Sequence, residues 1–88
     1  MKYLIPDHVL EERIGDEIVL LSLKRETFFS LNASGIYLWS ELKMGRTEAE
    51  LAQGLADAHG LELERAAADV RIFAAELARL ELIAVMSD

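Results

Sequence analysis

One short stretch of the chain, TFFSLNASGIYLW at residues 27–39, contains the change from strand to helix on which the fold depends. Its first part, Thr27–Leu31, combines β-branched, aromatic and apolar residues in the way typical of a strand. Asn32 is a good N-cap for a helix, and Ile36 and Trp39 then fall on one helical face. The stretch therefore predicts a strand that leads directly into a helix.

The residues before this stretch predict two more strands. His8–Ile14 alternates loosely between apolar and polar residues, and Glu17–Leu23 is rich in strand formers. Gly15 and Asp16 between them are a turn signal, which favours an antiparallel connection. With Thr27–Leu31 as the third strand, we expect an antiparallel meander whose third strand lies at an edge of the sheet.

The residues after the stretch predict three helices. Gly45 ends the first helix. Thr47 and Glu50 have the spacing of a capping box, which begins a second helix that runs to Gly60. The third helix runs from about Glu62 to Leu80 and is strongly amphipathic. Its apolar face consists of Ala66, Val70, Phe73, Leu77 and Leu80.

The order of these elements predicts the fold class. A last apolar run, Leu82–Met86, is expected to form a short strand or a packed tail. We expect an α+β fold in which a three-stranded antiparallel sheet is followed by a three-helix winged helix-turn-helix unit. A chain of 88 residues has the size of one domain, and we expect residues 1–88 to form it.

The composition excludes several classes of protein. The chain has no cysteine, which excludes disulfide frameworks, thiolate zinc sites and cysteine nucleophiles. Its longest apolar run, at residues 82–86, is far shorter than the roughly 20 residues that span a membrane. The residues before Pro6 lack the apolar core of a signal peptide. We therefore expect a cytoplasmic protein without a membrane partner.

Catalysis and metal binding have little support in the sequence. His8 and His59 lie far apart, and neither has a second ligand three or four residues away. Adjacent carboxylates such as Asp16 and Glu17 fall near predicted turns, rather than in the desolvated cleft that paired acid–base catalysis needs. No serine lies in a Gly-x-Ser-x-Gly elbow, and the glycines match no phosphate-binding loop. The sequence predicts a protein that is not an enzyme and holds no cofactor or metal.

The charge argues against a nucleic-acid partner. The chain carries 9 basic and 16 acidic side chains, which give a net charge of −7. The last predicted helix has more acidic than basic residues, whereas a helix that reads the major groove is normally basic. DNA binding by a winged helix is therefore an unfavoured alternative. The acidic surface suits a partner with some positive charge.

The third predicted strand offers a different kind of interaction. Trp39, Phe29 and Phe73 fall on internal faces by their periodicity, but Phe28 faces the opposite side from Phe29. An edge strand at Thr27–Leu31, next to an apolar helix, can accept an extended peptide as an additional strand. Small residues on the third helix either leave room for the peptide's side chains or let helices approach closely. These small residues are Ala67, Ala74 and Ala78.

Three parts of the chain, in this order, resemble the PqqD-like family, which is named for the pyrroloquinoline quinone biosynthesis D protein. The parts are Leu31–Trp39 with its Leu-Asn, glycine and Ile-x-x-Trp pattern, then Gly45-Arg46-Thr47, then Asp69-Val70 with Phe73 and Leu77. The resemblance covers about residues 8–83. Members of this family are recognition domains of pathways that make modified peptides from ribosomal precursors.

The resemblance implies a mode of binding. The leader segment of a precursor peptide would dock as an additional antiparallel strand on the third strand, with its side chains in the groove against the third helix. The chain would then be an adaptor without enzymatic activity that presents the leader to a processing enzyme. Carried onto this sequence, the peptide-binding residues are Glu26, Thr27, Phe28, Phe29, Ser30, Leu31, Asp69, Val70, Phe73, Ala74 and Leu77.

The sequence departs from the family pattern at three places. Ala74 stands where the family often has leucine, and Glu81 stands where it usually has glycine. The turn at residues 23–26 lacks the proline-glutamate element of the quinone-pathway members, which favours a free-standing recognition protein of another pathway. Stand-alone domains of this size look most like those of lasso-peptide clusters, where the domain works with a leader peptidase and a macrocyclase.

Other interpretations stay open from the sequence. One is a recognition protein of a radical-SAM pathway that makes a quinone-type cofactor. Another is a structural subunit of a peptide-modifying enzyme. Because an exposed third strand also permits pairing with a second copy, we expect either a monomer or an edge-strand dimer.

Overall fold

The computed structural model describes residues 2–86 and contains five strands and three helices there. In chain order the strands are β1 (Lys2–Leu4), β2 (Val9–Ile14), β3 (Glu17–Ser22), β4 (Thr27–Leu31) and β5 (Ala84–Met86). The helices, which lie between β4 and β5, are α1 (Ala33–Lys43), α2 (Glu48–His59) and α3 (Leu63–Arg79). This order confirms the predicted α+β fold, a three-stranded antiparallel sheet followed by three helices.

The three-stranded sheet is an antiparallel meander in the order β2–β3–β4. Gly15, with φ at +62°, makes the tight turn between β2 and β3 that only a residue tolerant of the left-handed region adopts easily. On β3, Ile18, Leu20 and Ser22 are buried, so this face of the sheet lies toward the helices. β4 is an edge strand, as the sequence predicts.

A second, two-stranded sheet joins β1 to β5 and was not predicted as such. Tyr3 pairs with Val85 in this antiparallel sheet, so the predicted short strand within residues 82–86 is correct for Ala84–Met86. The Tyr3 hydroxyl donates to Glu48 Oε2 at 3.0 Å and ties the small sheet to α2. Burial, together with this carboxylate, raises the pKa of Tyr3 to about 12.

The helix ends follow the signals in the sequence. Asn32 caps α1, because its Oδ1 accepts from Gly35 N at 2.8 Å. Thr47 and Glu50 form both bonds of the predicted capping box at the start of α2. Gly60 ends α2 in the left-handed conformation, with φ at +63°. Within residues 2–86, no helix is both long and apolar enough to cross a membrane.

The hydrophobic core lies between the inner face of the sheet and the three helices. Trp39 is 1% exposed, as its predicted internal position requires. Its Nε1 donates to Glu11 Oε1 at 2.7 Å, and Lys43 Nζ donates to the same oxygen at 2.8 Å. The bonds from Lys43 and Trp39 lower the pKa of Glu11. Phe29 and Phe73, predicted to be internal, are only half-buried and pack at the margin of the core.

The turn after α3 keeps the geometry for which the family uses glycine. Glu81 has φ at 58°, in the left-handed region. Leu82 N donates to Leu77 O at 2.8 Å, and Glu81 N donates to Ala78 O at 3.0 Å. These two bonds are the Schellman motif, and the buried side chains of Leu77 and Leu82 supply its hydrophobic contact. Glutamate at position 81 therefore leaves the shape of this turn intact, at the cost of local backbone strain.

Candidate functional site

The outer side of β4 is open. No strand within residues 2–86 pairs with it on the side away from β3. Leu23 N donates to His8 O at 2.9 Å, which makes Ser22 and Val9 a non-hydrogen-bonded pair. The main-chain groups of Ser22 therefore point away from β2 and toward β4, where Ser22 pairs with Thr27.

Alternation along β4 then fixes the direction of every main-chain group in the strand. Thr27, Phe29 and Leu31 direct their N–H and C=O groups toward β3. Phe28 and Ser30 direct theirs away from β3, toward solvent. We call this side of β4 the open edge. It presents two N–H donors and two C=O acceptors, the arrangement that an additional strand needs.

A groove beside the end of β4 consists of two adjoining cavities, the smaller between β4 and α3 and the larger among α1, α2 and α3. The smaller has a volume of about 140 Å³ and is lined by Phe29, Ser30, Leu31, Asn32, Gly35 and Phe73. The larger has a volume of about 300 Å³ and is lined by Asn32, Ser34, Gly35, Leu38, Leu55, Leu61, Asp69, Ile72 and Phe73. Asn32, Gly35 and Phe73 line both cavities and so lie at the boundary between them. The groove thus continues from the end of β4 along the start of α1.

Three residues of the sequence Leu31-Asn32-x-x-Gly35, namely Leu31, Asn32 and Gly35, line the smaller cavity. A Cβ on Gly35 would lie 3.2 Å from Leu31 Cδ2 and 3.3 Å from Asn32 Oδ1. Both distances are tighter than ordinary van der Waals contact, so a side chain at this position would require the Leu31 and Asn32 side chains to shift by a few tenths of an ångström. Glycine allows α1 to start directly against β4, while the Asn32 cap fixes the angle at which it starts.

The groove is lined by both apolar and polar residues, and one of them, Asp69, is charged. Ile72 is 69% exposed although it is a large hydrophobic side chain, and it lines the larger cavity. Asp69, one helical turn earlier, is exposed at the same cavity. This combination suits an occupant with apolar side chains and a nearby positive charge or hydrogen-bond donor.

The turn between β3 and β4 is tied to the end of α3. Glu26 N donates to Ser22 O at 2.8 Å, and Glu26 itself has φ at 55°. A guanidinium nitrogen of Arg25 lies 3.5 Å from Glu81 Oε2, and His8 Nε2 donates to Glu81 O at 2.9 Å. Through Arg25, the turn before β4 lies next to the end of α3.

The structure brings one part of the predicted site together. Phe29, Ser30, Leu31 and Phe73 line the smaller cavity, and Asp69 lines the larger. Phe28 is 69% exposed on the opposite face of the sheet, and its main chain belongs to the open edge. Glu26 is exposed in the turn. Thr27 begins the strand with a buried hydroxyl that has no hydrogen-bond partner among residues 2–86.

Three predicted residues of α3 lie in the core instead. Val70 and Leu77 are 0% exposed and Ala74 is 6% exposed, and none of them lines either cavity. They belong to the hydrophobic core against which the groove residue Phe73 packs. The alanines of α3 could either leave room for the peptide's side chains or let helices pack closely. Ala74 is buried, which fits close packing. Ala67 and Ala78 do not line either cavity.

The far half of the groove was not predicted. Its additional lining residues are Asn32, Ser34, Gly35, Leu38, Leu55, Leu61 and Ile72. One signal was available, because Ile72 lies outside the apolar face of α3 and is too hydrophobic for a solvent-facing position. The residues from α1 and α2 carried no such signal.

Comparisons with known proteins agree with this architecture. The model of the family "Coenzyme PQQ synthesis protein D (PqqD)" matches residues 17–83. The solved structure of TbiB1 in complex with the TbiA(beta) leader peptide is 34% identical, with a TM-score of 0.86, and the match covers 100% of both chains. A lasso peptide synthetase B1 complexed with the leader peptide is 18% identical, with a TM-score of 0.88, and the match covers 97% of this chain and 100% of that one.

No curated protein matches the chain. The family match includes the strands β3 and β4 and all three helices, which are the elements that form the open edge and the groove. It also includes the Leu31-Asn32 and Asp69-Val70 pairs on which the sequence resemblance was based. The chain therefore belongs to the PqqD family, as its sequence predicts.

Proposed function

We propose that this protein binds the leader segment of a ribosomally synthesised precursor peptide as a fourth strand on β4. The observation that carries the proposal is the open edge of β4 beside a groove of two cavities. Main-chain bonds at the open edge set the register of the leader, and the cavities select its side chains. TbiB1, 34% identical over the whole chain, is known in complex with a leader peptide, which supports the proposal.

The energetics require both parts of the site. Each main-chain hydrogen bond contributes about 0.5–1.5 kcal/mol net, whereas ordering the peptide costs about 1–2 kcal/mol for each residue. The bonds at the open edge therefore do little more than offset the ordering of the leader. Two or three apolar side chains in the groove, each contributing about 1.5–3 kcal/mol on burial, supply the affinity.

The proposed role is that of an adaptor without catalytic activity, formed by residues 1–88 as one domain. It binds the leader and presents the rest of the precursor to a processing enzyme, for which we propose the leader peptidase of a lasso-peptide pathway. The likeness to a lasso peptide synthetase B1 supports this pathway. Tethering the precursor raises its local concentration at the enzyme to about millimolar when the connection is short and flexible.

The acidic surface favours a leader or enzyme with basic residues. The chain has a net charge of −7, and Asp69 at the larger cavity adds a local negative charge. Charge complementarity mainly speeds association and depends on salt, whereas the apolar contacts in the groove do not. We therefore expect leader binding to weaken with salt but to persist at high salt.

The test is a calorimetric titration with the leader of the precursor peptide encoded beside this chain, and with a scrambled leader of equal composition. We expect a micromolar or tighter Kd for the leader, a negative heat-capacity change from apolar burial, and no binding of the scrambled peptide. Equal binding of both peptides, or binding of neither, would contradict the proposed function.

A further inference from the structure

Glu11 joins the strand farthest from the open edge to helix α1. β2 lies at the opposite edge of the meander from β4, and Glu11 pairs there with the buried Leu20, so its side chain lies on the face toward the helices. Its Oε1 accepts from Trp39 Nε1 at 2.7 Å and from Lys43 Nζ at 2.8 Å, and these two α1 residues lie one helical turn apart. One carboxylate oxygen therefore connects the later turns of α1 to the sheet.

The earlier turns of the same helix form part of the groove. Ser34, Gly35 and Leu38 line the larger cavity, and Gly35 also lines the smaller one. Trp39 follows Leu38 directly and lies one turn after Gly35, so a rotation of α1 that moves the indole also moves these two residues. The helix orientation that places the Trp39 indole therefore also sets the α1 wall of both cavities.

Two different strands hold the two parts of α1. At its start, the Asn32 cap and the close approach of Gly35 to Leu31 join the helix to the end of β4. Further along, the bonds to Glu11 join it to β2. Two attachments at separate points fix the direction of a helix relative to the sheet, which a single attachment at its start does not.

The N–H group of Trp39 depends on Glu11 as its acceptor. The Trp39 side chain is 1% exposed, so its N–H donor lies away from bulk water. A buried donor without an acceptor is unfavourable, and such groups are nearly always paired in folded proteins. If the carboxylate of Glu11 is removed, we expect α1 to shift until the indole N–H reaches water or another acceptor.

We propose that Glu11 is a positioning residue of the leader site, which acts through Trp39 on the α1 wall of the groove. This inference rests on the proposed function. Glu11 lies on β2 and lines neither cavity, so its effect on the leader is indirect. Its carboxylate holds α1 in the orientation that the leader's side chains need, and the leader then binds without first having to reorient the helix.

Three variants separate positioning from stability. Glu11→Leu removes the acceptor, whereas Glu11→Gln loses the charge but keeps a side-chain oxygen that accepts from Trp39 Nε1. Glu12→Leu is the matched control, because it removes the same charge from the adjacent residue, whose side chain lies on the opposite face of β2. The Kd for the labelled leader of the neighbouring precursor is measured by fluorescence anisotropy, at a temperature at which circular dichroism shows every variant folded. If Glu11→Leu does not fold, Glu11→Ala takes its place.

We expect Glu11→Leu to raise the Kd for the leader by about fivefold or more, an ordinary size for a residue that does not touch the ligand. Glu11→Gln and Glu12→Leu should bind the leader within about twofold of the wild type. A purely structural role predicts no change in any of them, because lost stability leaves the Kd of a fully folded variant unchanged. The chain has one tryptophan, so its indole N–H gives a single NMR signal, which should move further in Glu11→Leu than in Glu11→Gln.

A double-mutant cycle tests whether the effect passes through Trp39. Trp39→Phe has no indole N–H, so adding Glu11→Leu to it should change leader affinity by less than about twofold. Wild-type affinity in folded Glu11→Leu, an equal loss in Glu11→Gln or Glu12→Leu, or an undiminished loss in the Trp39→Phe background would overturn the inference. Failure of the wild type to bind the leader would contradict the proposed function instead, so the two failures are distinguishable.

Discussion

Ser30→Pro removes one of the two N–H donors at the open edge and leaves the bonds between β4 and β3 in place. Ser30 is exposed, and its main-chain groups point away from β3, which is the position in an edge strand where proline is tolerated. The leader loses one hydrogen bond, about 0.5–1.5 kcal/mol, and its facing carbonyl is left without a partner, about 1–3 kcal/mol more. The total of about 1.5–4.5 kcal/mol corresponds to a Kd that is roughly 10 to 1,600 times higher.

The assay is fluorescence anisotropy with a labelled leader, and Ser30→Ala is the matched control because it removes the side chain but keeps the N–H donor. We expect Ser30→Ala to bind within about threefold of the wild type, since the serine side chain supplies no main-chain bond. Circular dichroism should show that both variants remain folded. If folded Ser30→Pro binds the leader as tightly as Ser30→Ala does, strand addition at the open edge is refuted.

Three further predictions concern the groove, the turn after α3 and the core. Ile72→Asp should keep the fold and weaken leader binding by about tenfold or more in the same anisotropy assay, because a charge in the larger cavity opposes apolar anchors. Val70→Asp should instead unfold the chain, because Val70 is 0% exposed, and thermal melting measures this loss. Glu81→Gly should be about 1 kcal/mol more stable than Glu81→Ala in urea unfolding, because only glycine relieves the left-handed strain, and equal stabilities would contradict that geometry. Glu11 has a lowered pKa, so its stabilising contribution is present above its ordinary pKa of about 4.3 and is lost as the pH falls through the lower folded value. Glu11→Gln should therefore cost about 1 kcal/mol at pH 7, given its partial exposure, and should flatten the acid limb of a plot of unfolding free energy against pH.

Most of the fold was predictable because its signals are local. The Thr47 and Glu50 capping box and the Asn32 cap act within four residues, and the structure contains the bonds that each predicts. The sheet of β1 and β5 could not be predicted in the same way. Each strand has only three residues, too few for a periodic pattern, and its partner lies at the other end of the described chain.

The candidate site was predictable on its strand side and less so on its helix side. Alternation in β4 separates Phe28 from Phe29, and the structure keeps these side chains on opposite faces of the sheet. In α3, the periodic pattern identifies the face that packs against the core, which is why it selects Val70 and Leu77. The groove lies at the margin of that face, where Phe73 is on the pattern and Ile72 is off it.

Glu81 departs from the glycine of the family pattern and still forms the same turn. Glycine at this position would supply the left-handed conformation without strain, and glutamate adopts the same conformation with φ at 58°. The side chain approaches Lys24 Nζ at 3.8 Å and Arg25 at 3.5 Å, although exposed pairs of this kind contribute little. The sequence difference therefore changes the local strain without changing the turn.

The most direct test of strand addition is amide hydrogen exchange, measured by NMR with and without the leader. The open edge predicts that leader binding slows exchange at Phe28 and Ser30, whose N–H groups point to solvent in the free protein. Phe29 and Leu31, which already bond to β3, should change much less. A leader that binds without protecting Phe28 and Ser30 would contradict the central claim, because the peptide would then lie elsewhere on the protein.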